Sequence, residues 1–441
     1  MTQEKGSELQ RAVRSTETAR SVNKLLKEWY ARAKEAKSAG RPVAWCMVGM
    51  PPELLNVFDI DAVWPENYGT VCAAQQMAVH FMEAAEADGY SHDLCSYERN
   101  AFGYAKLMRE LGTIPGEAPA GGMPEPTMFL TPSRLCDPRA KGFQALATRF
   151  FEAPLHVCDI QSVGYGVDMN DPSVKERYFK HNLAQLWGLI RFLEKQTGKK
   201  LDEARLSQTV ANSLKAQRLV WEVHQLRRAV PSPMPSQDQF ACIIPQLYML
   251  GSKDAVDFYQ RLYDEVKNRV DHRIGVIPNE KYRLLWMGIP TWFNMGIFNY
   301  FESLGAVSAM ETTYYVYPPV VADPSRPVEA LCEILWKRNL QLHDLGAEVT
   351  PEGGTPAGLV LQFIREYKLD GVIMHSTRSC RAISFGQAHT RKRLQKELDV
   401  PVLAMESDMA DPRTWSDALI KMQINAFIET LASKKKAPAR V

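Results

Sequence analysis

The stretch Asp370–His389, "DGVIMHSTRSCRAISFGQAH", decides how the fold is read. It is a short apolar run that stops abruptly in a polar loop, the look of a strand buried on both faces, as parallel sheets covered by helices require. The loop carries Cys380 between Arg378 and Arg381. A thiol kept only for packing prefers apolar neighbours, whereas a thiolate gains from guanidinium charge. In open parallel sheets, ligands bind beyond the carboxyl ends of the strands, which is where this loop falls.

Working outward, "VPVLAMESD" (400–408) is a second buried strand, and the helix "HTRKRLQKELD" (389–399) separates the two. "YRLLWMGIP" (282–290) and "AVSAMETTYY" (306–315) complete a set of four strands alternating with helices. The N-terminal half repeats the texture with "RPVAWCMVG" (41–49), "DAVWPENYG" (61–69), "EPTMFLTPSRLCDPR" (125–139) and "APLHVCDIQSVGYG" (153–166). "VCAAQQMAVHFMEAAEADG" (71–89) reads as one helix closed by Gly89. From Asp171 to Val270 the periodicity is helical, broken at "TGKK" (197–200) and at the proline-rich loop "VPSPMPS" (230–236), after which one long helix follows around 255–270. The expectation is an α/β protein with two four-stranded parallel, Rossmann-like units and a helical N-terminal and middle segment. The boundaries are 1–40 for the N-terminal helical segment, 41–170 for the first α/β domain, 171–275 for the helical segment and 276–441 for the second α/β domain.

A chain of 441 residues is long for one core and suggests two or three domains. Lys and Arg number 53 against 51 Asp and Glu, interspersed, which argues against nucleic acid or anionic membrane as the main partner. No apolar run approaches the roughly 20 residues of a membrane span, and the first twenty residues lack the apolar core of a secretory signal. The expected compartment is the cytoplasm, where eight cysteines do not build a disulfide framework.

The cysteines therefore divide by context. Cys136 and Cys380 stand in polar loops at strand ends, and Cys95 begins a helix, whose N-terminus favours a thiolate. Each has an arginine or polar turn beside it: Arg99, Arg134 and Arg139, Arg378 and Arg381. If the fold gathers these three, they suggest a metal site; unrelated surface thiols are an equal alternative on spacing alone. Cys158, Cys242 and Cys332 lie in apolar contexts and read as packing residues, as does Cys72 on its helix. Cys46 ends a strand and is either a further cleft thiol or a buried one.

"WCMVGMPPELL", "HDLCSYERNAFGY", "SRLCDPR", "GVIMHSTRSC" and "VPVLAMESDMADPRTWSDALIKMQINAFIETL", in this order and spacing, resemble the benzoyl-CoA reductase and 2-hydroxyacyl-CoA dehydratase family. The resemblance runs from Val43 to Leu431 and is greatest to the larger substrate-module subunit of ATP-dependent benzoyl-CoA reductase. It implies a 4Fe–4S cluster on Cys95, Cys136 and Cys380, with one iron lacking a protein ligand and so open to water, hydroxide or substrate. It further implies a homologous sister subunit, ATP-hydrolysing activator subunits, ferredoxin as donor, and benzoyl-CoA or a related CoA thioester as substrate.

Other residues fit such chemistry. Glu66, after the second strand, is placed to handle protons, and His375, before Cys380, to deliver one or to serve structurally. Glu53 matches a family glutamate and either anchors the first loop or lines the site. Glu406 and Asp408 could pair with Arg378 or Arg381 to fix the cysteine loop, or cap the following helix. Trp292 and Phe293 stand in a strand-end loop and suit an apolar acyl pocket. "EGGTPAG" (352–358) lacks the P-loop lysine and a preceding strand, and no GxGxxG follows a strand, so neither ATP nor a nicotinamide cofactor is expected on this chain.

Overall fold

The computed structural model describes residues 11–160, 167, 171–316, 318–346 and 357–436. The segment "EGGTPAG" falls mostly outside them. Two four-stranded sheets, each parallel throughout, form the frame. The first contains β1 (Val43–Cys46), β2 (Asp61–Val63), β3 (Met128–Pro132) and β4 (Leu155–Cys158), ordered β2-β1-β3-β4. The second contains β5 (Tyr282–Met287), β6 (Ala306–Glu311), β7 (Gly371–Thr377) and β8 (Val402–Ser407), ordered β6-β5-β7-β8. The registers pair Trp45 with Val63 and Phe129, and Trp286 with Glu311 and Ile373.

Central strands β1, β3 and β5 are buried at every position, because helices cover both faces. On β5, Leu284 and Trp286 pack toward α11 (Ile297–Ser303) and α16 (Asp417–Lys436), while Leu285 and Met287 pack toward α13 (Ala357–Glu366) and α15 (Gln387–Glu397). Two edge strands differ from expectation. β8 alternates buried with exposed or half-buried residues, so only one of its faces is covered, and β4 is only partly covered, whereas the edge strands β2 and β6 are buried throughout.

One face of the first sheet packs on α1 (Glu17–Glu35), α2 (Pro52–Val57) and the middle helices α7 (Pro172–Thr197), α8 (Glu203–Leu226), α9 (Ser236–Tyr248) and α10 (Lys253–Asp271), with α12 (Pro327–Gly346) beside them. The break at "TGKK" is real: Gly198 takes φ 70° to close α7, and Asp202 accepts the Arg205 amide to open α8. Helix α9 was not anticipated. Its start is hidden in the proline cluster and Pro245 lies within it, yet it forms because every residue from Ser236 to Pro245 is buried against both halves.

The other face packs on α3 (Pro65–Ala74), α4 (Ala78–Ala87) and α5 (Ser96–Leu111). The single helix expected over 71–89 is two, because Gln76 adopts φ 62° and breaks the chain between α3 and α4. The second strand is also shorter than expected. Pro65, at the first helical position, starts α3 at once and places Glu66 in its first turn. Two π-helical turns, Pro138–Gly142 and Leu146–Phe151, flank α6 (Phe143–Ala145), and α14 (Arg381–Ser384) follows Cys380. The apolar cluster on this face includes Ile289, Phe293, Met409 and Ala410 from the second half, so one continuous seam joins the two sheets.

Candidate metal centre

The loops at the carboxyl ends of both sheets meet around one cavity of about 140 Å³, far above the roughly 10–15 Å³ that one water needs. Cys95, Cys136 and Cys380 all line it, together with Glu66, Arg139 and Tyr314. The order of strands explains the convergence. In each sheet the chain moves outward from its first strand and returns to the other side for its third, so the loops after those two strands splay apart. Cys136 and Cys380 each sit in the loop after the third strand of their sheet.

Cys95 reaches the same cavity from the start of α5, where it is the N-cap residue. Ser96 and Ser379, each next to a cavity cysteine, are hydrogen-bonded: the Ser96 amide donates to Ser379 Oγ at 3.2 Å. Asp408 accepts from the Ser379 hydroxyl and amide while taking the amides of Ala410 and Asp411 on its other oxygen. A buried ionic cluster holds the two halves together behind these loops. Arg99 bonds Glu86 at 2.6 Å and Asp411 at 3.3 Å, and Arg413 bonds the same two carboxylates at 2.7 Å.

Each of the three thiols faces the backbone amide three residues later: Glu98 for Cys95, Arg139 for Cys136 and Ile383 for Cys380. These amides favour the thiolate, as does the Arg139 guanidinium beside Cys136. Burial opposes them and prevails, pushing Cys380 up to about 12 and Cys95 and Cys136 above the usual thiol range, with the sulfurs also raising one another. The thiols are therefore protonated until a cation replaces their protons. For Cys46, Cys72, Cys158 and Cys332, burial raises the thiol with no backbone amide offsetting it, although the Tyr68 and Asn100 side chains partly offset it at Cys72. All four are buried and, like Cys242, line no part of this cavity.

Among the described residues no three His, Cys, Asp or Glu side chains group tightly enough to chelate a single ion. With a metal–sulfur bond of about 2.3 Å, one ion needs its sulfurs within roughly 4 Å of each other. A 4Fe–4S cube takes its cysteines at separate corners and accepts a wider set. One oxygen of Glu66 and Nε of Arg139 are buried here without a hydrogen-bond partner, so the chamber holds unspent polarity aimed inward. Three thiols on one cavity, each with an amide facing its sulfur, have the chemistry that an iron–sulfur cluster takes as donors.

Burial raises the Glu66 carboxyl above its usual range, with Arg139 and the Val48 amide opposing. His375 lies outside the cavity lining. It is fully buried; its Nδ1 donates to the Ile289 carbonyl and its Nε2 meets the Ser407 hydroxyl at 2.8 Å, and burial lowers its pKa. It thereby fixes the loop after β5. Glu53 is also buried away from the cavity, accepting the Ser213 hydroxyl of α8 at 2.6 Å, which ties the first loop to the middle helices. Arg378 turns outward to Glu406 at 2.6 Å, and Arg99 is taken by its carboxylates; of the arginines flanking the three cysteines, only Arg139 lines the cavity.

Trp292 and Phe293 line a second, larger cavity of about 740 Å³, with Phe240, Ile244 and Met295. Arg11, Arg14, Arg20 and Lys27 stand around it. Arg139, three residues after Cys136, was among the arginines named from sequence, but Tyr97, Tyr248 and Tyr314 were not. Tyr97 was within reach, two residues after a cysteine, whereas Tyr248 comes from the unanticipated α9.

The family described as "2-hydroxyglutaryl-CoA dehydratase, D-component" matches residues 47–431. The chain is 28% identical over 426 residues to the (R)-2-hydroxyisocaproyl-CoA dehydratase alpha subunit of Clostridioides difficile, covering 94% of this chain and 96% of that one. It is 27% identical over 424 residues to a benzoyl-CoA reductase subunit of Thauera aromatica, covering 92% of each. It is 26% identical over 408 residues to the (R)-phenyllactyl-CoA dehydratase alpha subunit of Clostridium sporogenes, covering 92% of this chain and 93% of that one. With the match spanning nearly the whole chain and both sheets that build the cavity, the protein belongs to the 2-hydroxyglutaryl-CoA dehydratase D-component family, whose relatives include dehydratase alpha subunits and a benzoyl-CoA reductase subunit.

Proposed function

We propose that this chain is the iron–sulfur subunit of an ATP-dependent benzoyl-CoA reductase, which reduces benzoyl-CoA by two electrons to cyclohexa-1,5-diene-1-carbonyl-CoA. The observation that carries the reading is the meeting of Cys95, Cys136, Cys380 and Glu66 on one buried cavity beside a larger, aromatic one. Cys95, Cys136 and Cys380 would hold a 4Fe–4S cluster, which supplies low-potential electrons and an iron with a free coordination position. Arg139 offsets thiolate charge at Cys136. Glu66, whose carboxyl burial pushes above its usual range, is the group placed to give a proton to the reduced ring. The apolar walls of the second cavity, Trp292 and Phe293 among them, hold the aromatic acyl group and exclude water from a radical that water would quench. Arg11, Arg14, Arg20 and Lys27 suit the phosphates of coenzyme A.

The assembly belongs to the same reading: a homologous sister subunit, an activator that hydrolyses ATP and a ferredoxin donor. A second reading is a 2-hydroxyacyl-CoA dehydratase, favoured by the names of several relatives. The test is an anaerobic assay of the assembled complex with activator, ATP and a strong reductant. Formation of the cyclic diene from benzoyl-CoA is expected. Water elimination from an (R)-2-hydroxyacyl-CoA without net use of reductant moves the assignment to the dehydratase. A complex in which this subunit holds neither iron nor acid-labile sulfide ends both and leaves a scaffold.

A further inference from the structure

The two cavities have three lining residues in common: Thr70 of α3, Tyr248 at the end of α9, and Tyr314 in the loop after β6. These residues stand where the cavity of about 740 Å³ adjoins the one of about 140 Å³, and a throat there would join an outer space to an inner one. A cluster bound by the three cysteines would fill the inner space, and the long arm of a CoA thioester would occupy the outer one. The acyl group must then lie at the throat, against Tyr314 and Tyr248.

Tyr314 is held rigidly there. Its backbone adopts φ 66°, a left-handed conformation that costs a non-glycine residue energy and persists only where the surroundings impose it. Its ring packs near Phe240 and Trp292, with centroids at 6.4 and 6.5 Å. Trp292 is itself fixed, its indole N–H donating to Tyr97 Oη at 2.5 Å. Tyr248 is braced from behind by Trp64, with ring centroids 4.8 Å apart. A wall this stiff discriminates by shape, because a larger guest cannot push it aside.

We infer that Tyr314 is a specificity-determining residue, whose fixed ring opposite Tyr248 limits the bulk of the acyl group that reaches the cysteine-lined chamber. This deepens the function proposed above and rests on its CoA-thioester reading. One extra methylene in an apolar pocket is worth roughly 10–200-fold in discrimination, so removing the ring should move selectivity by about tenfold or more.

The experiment is calorimetric titration of the anaerobic complex with free CoA, benzoyl-CoA and 2-naphthoyl-CoA, for wild type, Tyr314→Ala, Tyr314→Gly and Tyr314→Phe. Both truncations should raise the naphthoyl-to-benzoyl affinity ratio about tenfold or more, Tyr314→Phe should hold it within about twofold, and free CoA should bind alike to all four. Glycine also relieves the left-handed backbone strain that tyrosine and alanine share, so the two truncations control for it. An unchanged ratio in truncated complexes that keep their iron overturns the inference. Should both truncations lose iron, the same ratio read in Tyr248→Leu decides it. A wild-type complex that binds neither ester nor CoA removes the CoA-thioester reading itself, and the throat with it.

Discussion

The two sheets are built to one plan and used differently. Each orders its strands second, first, third, fourth, and each sends the loops after its first three strands to the shared cavity. After the first strands come Met47 and Val48 on one side and Ile289 on the other; after the third come Cys136 and Cys380. The second-strand loops diverge: the first sheet supplies Glu66 and the second supplies Tyr314. Among the described residues that line the cavity, Cys95, at the start of α5, has no counterpart from the second half. The third-strand position thus brings a cysteine to the cavity in both halves. The second-strand position is where a carboxyl and a phenol divide the remaining work, and no short repeat in the sequence betrays the correspondence.

If the third-strand loops are equivalent, replacing their cysteines must have the same, and the largest, effect. Cys136→Ser and Cys380→Ser should each abolish the iron–sulfur absorbance of the anaerobically purified complex together with its activity, while Cys332→Ser, on the buried side of α12, keeps both. Iron and acid-labile sulfide counts check this. A full cluster in either of the first two variants breaks both the comparison and the metal assignment.

Much of this frame was legible because its signals are local. Eight short apolar runs ended in polar loops, and all eight are strands, although β4 and β8 are only partly covered. The site was legible only to first order. Cysteines at strand ends are visible in sequence, but which arginine faces them is not: Arg99, Arg378 and Arg139 look alike as neighbours, and only the last lines the cavity. Gln76 breaks a helix whose composition has no breaker, because tertiary packing outweighs propensity there. Tyr314 carries no local sign of its left-handed backbone, and α9 is obscured by the very prolines that introduce it.

Helix α8 sharpens the comparison, since it touches the two sheets by different means. Toward the first loop its buried contact is Ser213 to Glu53, one bond of 2.6 Å, while nearer the surface Arg205 reaches the Asn56 and Val57 carbonyls and Asp59. Toward the second sheet, Arg227 grips Glu311 at the end of β6 through two bonds of 2.7 and 2.6 Å, both side chains fully buried. Arg227→Met leaves Glu311 buried and unpaired, which costs about 3–5 kcal/mol, whereas Ser213→Ala should cost about 1–3 kcal/mol. Denaturant midpoints should fall in that order, and Arg227→Met combined with Glu311→Leu should recover most of the loss. Equal losses for the two single variants would mean that α8 does not distinguish the halves.

The smallest expected effect concerns acid stability, and it too falls on the second sheet. His224 of α8 is fully buried, neither ring nitrogen has a hydrogen-bond partner, and Tyr315 packs on it with ring centroids 6.0 Å apart. Burial is the main cause that drives its pKa well below the ordinary histidine value, and the positive charges of Arg227 and Arg228 add to it. The folded state therefore binds this proton less readily than the unfolded chain, whose imidazole titrates near 6.5. Stability from this group is complete above that value and declines as pH falls through it, because the unfolded state alone gains the proton. His224→Phe removes the titration while keeping an aromatic ring of similar shape in place. Between pH 7 and pH 5.5 the wild-type melting temperature should fall further than that of the variant, with the two converging toward neutral pH apart from a constant offset. Parallel curves would show that the acid sensitivity of this half arises elsewhere, and would leave the two sheets alike in their response to protons.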